Sequence, residues 1–335
     1  MRNLQRSPLL AALLMLPVIA GVLLLAPTSR AAAAAREAAR DELRGYLEDI
    51  TGASLARYGV RDDLGRPMQP GSIIARPGGG YAAVYFVWAD DGRTPSVELA
   101  TSPDLVEWRW RTRLAYSASQ PTIEPGEDGG FVVGWEKEPP NHVQFAWYPT
   151  WRALVRAEPD KLLDAPMTLS PCAEGTPSLY RASSTHLDVG LHYYDGCRID
   201  RLARARTDWQ RWTAKPAVER EAAVRRYGVK AGVGDRDTIN FRGFNFTLQE
   251  GMTIEDRWDT WRIYLHDEAT GTAAPLDLRT PAGCVGFANP SVELATYDGL
   301  PAIIASMFVT AEGGRACEAG TLIYARTLDA PIRPS

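Results

Sequence analysis

Ser119-Gln120-Pro121-Thr122-Ile123 is a stretch in which a polar residue and a proline introduce a short apolar run, and the chain repeats it. Glu174-Gly175-Thr176-Pro177-Ser178-Leu179 and Ala288-Asn289-Pro290-Ser291-Val292 are copies, and Gly234-Asp235-Arg236-Asp237-Thr238-Ile239 is an Asp-rich equivalent between them. One further period back lies Gln69-Pro70-Gly71-Ser72-Ile73-Ile74. A repeat of roughly sixty residues, with several short strands inside each unit, is the signature of a β-propeller. The copies predict an all-β fold, a five-bladed ring with one such motif per blade.

The runs that follow each motif fit this reading. Tyr81-Ala82-Ala83-Val84-Tyr85-Phe86-Val87-Trp88 follows Gly78-Gly79-Gly80, and Phe131-Val132-Val133-Gly134-Trp135 follows Gly129-Gly130. Leu187 to Tyr194, Phe244 to Leu248 with Trp261 to Leu265, and Pro301 to Phe308 are their counterparts. Aromatic and β-branched runs entered from a glycine turn are buried strands. Residues 216–228 break the pattern with an amphipathic helical stretch, an insertion between blades with Pro216 suited to a first turn.

The N-terminus has a different character. A basic start, Met1 to Arg6, leads into an apolar run from Pro8 to Pro27 and then into Ser29-Arg30-Ala31-Ala32-Ala33-Ala34-Ala35, which holds several A-x-A sites. Residues 1–35 therefore predict export into an extracellular or periplasmic compartment. A run of about twenty residues also suffices to span a bilayer, so a cleaved signal and a retained anchor are both compatible with it. Membrane contact is expected only through this segment. Residues 36–60 follow as a helical linker, the apolar positions of Ala32–Gly52 suiting one helix face as a stalk or a cap on the first blade, and 61–335 form the propeller.

Without Arg2, Arg6 and Arg30 the exported chain is three charges more negative than the −4 of the whole sequence, which argues against a nucleic-acid partner. Four cysteines in an exported chain predict two disulfides. Cys172 and Cys284 each precede a blade motif and Cys197 and Cys317 each fall later in the same blade, so Cys172–Cys197 and Cys284–Cys317 are the expected pairs. No C-x-x-C, H-E-x-x-H, Gly-rich phosphate loop or G-x-S-x-G elbow occurs, and neither a metal nor another cofactor is expected.

Ala100-Thr101-Ser102-Pro103-Asp104-Leu105-Val106-Glu107-Trp108 resembles the A-x-S-x-D-L-x-x-W outer-strand motif of five-bladed glycoside hydrolases, families 43 and 32 and their relatives. Glu174-Gly175-Thr176-Pro177 resembles the Glu-Gly-Pro motif that carries their general acid on the third blade. The resemblance implies an axial site acting on an oligo- or polysaccharide. It also marks a departure: the family's first two blades each supply an aspartate, whereas here the second blade offers Gln120 and the first has only Asp62 and Asp63 upstream of Gln69.

Residues that open the innermost strands of a propeller converge on one mouth. This places Gln120, Glu174, Asp235, Arg236, Asp237 and Asn289 around one cavity. Glycoside hydrolysis needs one protonated and one ionised carboxyl group across the scissile bond. Glu174 is the candidate acid, and Asp237, or else Asp235, is the candidate base or nucleophile held charged by Arg236. His142 in its Pro-Pro-Asn-His turn and Trp147 are candidate sugar contacts, as are Trp110, Trp258 and Trp261, because flat sugar faces pack on aromatic rings. Glu136, Glu250 and Glu293 follow apolar strands and are expected at the rim. The sequence therefore supports a carbohydrate-active protein, in the first place a glycoside hydrolase using axial carboxylates, with a non-catalytic glycan-binding or scaffold propeller as the alternative.

Overall fold

A computed structural model describes residues 18–89, 91–313 and 318–329, with the side chains of residues 18–29 left aside. It contains five four-stranded antiparallel sheets. Blade I is Ile73–Ala75, Tyr81–Trp88, Pro95–Ser102 and Arg109–Tyr116. Blade II is Ala118–Pro125, Phe131–Lys137, His142–Tyr148 and Lys161–Asp164. Blade III is Glu174–Ala182, Leu187–Asp195, Ile199–Thr207 and Trp212–Pro216. Blade IV is Ala231–Phe241, Phe244–Met252, Trp261–Asp267 and Thr272–Pro275. Blade V takes Phe287–Tyr297, Leu300–Val309 and Gly320–Thr327 from the C-terminal end and its outer strand, Leu55–Arg57, from the N-terminal end. The expected five-bladed propeller is thus present, and the first strands of successive blades touch one another around the ring.

Closure of the ring moves the start of the propeller into the stretch expected to be linker. Leu55, Ala56 and Arg57 pair with Ala325, Tyr324 and Ile323, so the N-terminal strand and the C-terminal strand share one sheet and close the ring. The chain just before Leu55 must then lie beside blade V. The helix Val18–Glu48, here α1, accordingly docks on blades IV and V rather than capping the first blade. Its buried positions Ala39, Leu43, Leu47 and Tyr46, with Ile50 beyond, recur at the helical period and pack with Phe241, Phe246, Leu265 and Tyr324. Polar contacts fix its rotation. Arg242 Nε and Nη2 each donate at 2.6 Å to the Glu42 carboxylate, and Tyr324 Oη donates to Leu47 O at 2.9 Å.

The insertion predicted near residue 216 is the short helix Val218–Arg225, α2. Cys172 and Cys197 are disulfide-bonded, with Cα atoms 5.7 Å apart. Cys317 lies outside the described residues, as does the first half of the apolar N-terminal run. No helix among the described residues is long and apolar enough to cross a membrane.

Because Leu47 is 1% exposed within this interface, Leu47→Ala is expected to cost about 2–5 kcal/mol through lost burial and a residual cavity. Urea unfolding checks this: a lowered midpoint with an unchanged slope indicates a docked helix, and an unchanged midpoint a free one.

Candidate functional site

The innermost strands of blades II to V each begin with a β-bulge. In blade II, Ser119 pairs with Glu136 and Thr122 with Gly134, which leaves Gln120 and Pro121 bulged. The same shift leaves Thr176-Pro177, Gly232-Val233 and Asn289-Pro290 bulged in blades III, IV and V. Gln120, Thr176, Gly232 and Asn289 all take positive φ, between 48° and 61°. For the three that carry side chains this is a strained conformation, costing of order 1–3 kcal/mol, and a bulge of this kind re-aims the side chain. Gly232 allows the turn without a Cβ, which would meet the Trp261 ring at 2.3 Å.

The strain is held by carboxylates from the preceding blade. Thr176 N donates to Glu136 Oε2 at 2.9 Å, Gly232 N to Asp200 Oδ2 at 2.9 Å, and Asn289 N to Glu250 Oε2. Glu136 also accepts from Asn141 Nδ2 at 2.5 Å. Glu136 and Glu250, expected at the rim, are therefore buried clamps, 8% and 3% exposed. Beneath the turns, Ser72, Thr122, Ser178 and Ser291 occupy equivalent places on four strands and Gly234 the fifth. Only small side chains suit strands that converge so closely; Ser72 Oγ lies 3.2 Å from Thr122 Oγ1.

Gln120, Thr176 and Asn289 line a cavity of about 510 Å³ at the mouth of the ring. Gln69, His192, Asp200 and Glu250 complete its polar side, and His192 Nε2 is 2.9 Å from Thr176 Oγ1. Phe86, Trp88, Trp258, Trp261 and Phe308 supply its aromatic lining. Trp88 and Trp258 are each 48% exposed, and Trp258 packs at 6.2 Å on Trp261. Arg236 lies behind the polar side. Its Nη2 donates to Gln120 Oε1 at 3.3 Å and its Nε is 3.6 Å from Glu250 Oε1, while Nε and Nη1 have no hydrogen-bond partner. Burial raises the Glu250 pKa above the ordinary glutamate value, with Arg236, the Asn289 amide and His192 pulling the other way.

Of the residues singled out from sequence, Gln120, Asn289, Trp258 and Trp261 meet at this cavity, and Arg236 touches its lining. The others lie elsewhere. Glu174 is 1% exposed and its Oε1 accepts from the amides of Thr168, Leu169 and Ser170, closing the loop before blade III. Asp235 points into the blade and pairs with Arg220, Tyr180 Oη and Gln249 Nε2. Burial pushes Asp235 up, but Arg220, Tyr180 and Gln249 outweigh it and hold its pKa below the usual aspartate value. Asp237 is deeper in the channel, bonded to the amides of Thr238 and Val292. His142 sits between Pro140 O and Asp164, 2.6 and 2.5 Å away. Trp147 is 6% exposed in the core shared by blades II and III. Trp110 donates to Glu98 Oε2 on the outer part of blade I.

Gln69, Trp88, Thr176, His192, Asp200, Glu250 and Phe308 are cavity residues that sequence reasoning did not assign to the site. The signal for part of them was present: Gln69, Gln120, Thr176 and Asn289 each stand directly before a proline.

No family model matches the chain, and no curated protein matches it. Among solved structures, a thermostable family-43 glycoside hydrolase superposes with a TM-score of 0.51 at 8% identity, covering 86% of this chain and 98% of that one. An exo-β-1,3-galactanase from Clostridium thermocellum gives 0.51 at 12%, covering 82% and 63%. At these identities the likeness is one of fold: the architecture is that of the five-bladed glycoside hydrolases the sequence motifs resemble.

Three amides on a buried carboxylate define a structural role. Glu174→Ala is expected to destabilise the protein by roughly 2–3 kcal/mol, the loss of charge-assisted hydrogen bonds, while leaving ligand affinity within twofold. Denaturation and binding isotherms on the same variant check both parts.

Proposed function

We propose that this protein is a carbohydrate-active propeller that recognises a glycan in its mouth cavity without cleaving it. The observation that carries the proposal is the convergence of Gln69, Gln120, Thr176 and Asn289 with Trp88 and Trp258 in one cavity. Amide and hydroxyl groups both donate and accept, which suits sugar hydroxyls, and indole faces suit the apolar face of a sugar ring. The cavity volume falls in the range of small-ligand sites. The glycoside-processing proteins of the same fold support a carbohydrate as the partner. The Cys172–Cys197 disulfide and the N-terminal apolar run support export to an oxidising compartment.

Recognition is favoured over hydrolysis by the groups at the strand openings. Gln69, Gln120 and Thr176 stand at blades I, II and III, where the resemblance implies two aspartates and a glutamate, and none of the three titrates. A second reading rests on Glu250. It is a buried carboxyl with a raised pKa beside His192, the condition of a general acid, and Asp200 lines the same cavity as an ionisable partner. In that reading Glu250 takes the role the sequence assigned to Glu174.

Trp258→Ala removes a half-exposed ring that packs mainly on Trp261, so the fold is expected to survive. Loss of an aromatic anchor worth about 2 kcal/mol weakens glycan binding about thirtyfold. Isothermal titration across a panel of oligosaccharides checks it, with product analysis on the same panel. Binding without cleavage supports recognition. Cleavage that Glu250→Gln slows by about 10²- to 10⁴-fold establishes the hydrolase reading instead. A panel that neither binds nor reacts rejects both.

A further inference from the structure

Beyond the mouth, the channel holds a second group of side chains that the sugar cavity does not use. Glu124 lies about 13 Å further along the innermost strand of blade II than Gln120. Its carboxyl group hydrogen-bonds that of Asp237 on blade IV. Blades II and IV are separated by blade III, so this contact crosses the axis of the ring. Asp237 Oδ1 accepts from Thr238 N and Oδ2 from Val292 N of blade V, both at 2.9 Å. Glu293, from blade V, neighbours both carboxyls and accepts from Ala75 N of blade I at 3.1 Å.

An ionised carboxylate has only acceptors, so two carboxyl groups can bond each other only when one carries a proton. Both Asp237 oxygens already accept from backbone amides, which assigns the proton to Glu124. We infer that a proton held by Glu124 pins blades II and IV together across the channel, making closure of the ring sensitive to pH from its interior. Glu293 extends the same junction to blades V and I.

The surroundings bear this out. Burial first, then the charges of Asp237 and Glu293, raises Glu124 well above the ordinary glutamate range. Burial lifts Asp237 to about 7 against the pull of the Val292 and Thr238 amides and Arg236, and lifts Glu293 to about 7 against the Ala75 amide. Blade III turns Tyr180 toward Asp235 instead of into this cluster. The sign follows from proton linkage. A carboxyl raised on folding binds its proton more tightly in the native chain, so its stabilisation is complete below the ordinary glutamate value and lost as pH rises through the raised folded one.

Glu124→Gln provides the test, because its carboxamide donates to Asp237 without a titrating proton. Unfolding of the full chain and the variant is compared from pH 5 to 8.5, in EDTA and in millimolar calcium. The stability of the variant relative to the parent is expected to grow with pH above the ordinary glutamate range, by up to about tenfold in the unfolding constant per pH unit for one proton. Glu293→Gln is expected to flatten the parent's pH dependence in part. A difference that is flat with pH overturns the inference. So does calcium restoring the parent at pH 8 but not the variant, since a cation would then be the pin. Should Glu124→Gln not fold, carboxyl carbon NMR of the parent decides: a group titrating near or above pH 7 is expected, and titration of every carboxyl group below pH 5.5 overturns the proposal.

Discussion

A carboxylate on one blade holding the strained backbone of the next is the interaction on which this molecule's site depends. Gln120, Thr176 and Asn289 reach the cavity because their backbones turn through positive φ, a conformation unfavourable for any residue with a Cβ. Glu136 and Glu250 accept the amides of Thr176 and Asn289. The same bonds join blade II to III and IV to V. Joining the blades and shaping the mouth are therefore one task. A substitution at either glutamate alters both, which separates these positions from the exposed Trp258.

The buried charges divide by what surrounds them. Asp235 has a guanidinium, a hydroxyl and an amide and stays ionised below its usual range, although it sits where Ile123, Leu179 and Val292 stand in other blades. Replacing one partner of such a group leaves the other buried and unpaired, so a polar island inside an apolar layer tolerates little change. Asp237 lies two residues on. Its principal partners are amides and another carboxyl group, so burial dominates and the pKa rises. Regular alternation would put both aspartates on one face; the register shift between Asp235 and Asp237 breaks it and sends them to different surroundings, where they titrate in opposite directions.

The architecture was legible because it rests on repetition. Proline after a polar residue marks blades I, II, III and V, and the glycine-entered strands follow each mark. Register within the motif was less legible. In blade III the resemblance drew attention to Glu174, whereas the bulge falls on Thr176, two residues later and on the other side of Gly175. Blade IV has Gly232-Val233 where the others have a proline, and without that mark the conspicuous Gly234-Asp235-Arg236-Asp237 took its place. Asp200, His192 and Glu250 come from second and third strands, so their presence at the mouth follows from cross-strand pairing that no local pattern encodes. Trp88 was legible as the end of a strand, but its half-exposed face at the cavity was not.

The pairing of Leu55–Arg57 with Ile323–Ala325 joins the earliest strand of the chain to the latest. Sequential stacking of blades I to IV cannot close this ring, because Leu55–Arg57 waits for a partner more than 260 residues further along the chain. Contacts between such distant segments carry a large closure entropy and form slowly.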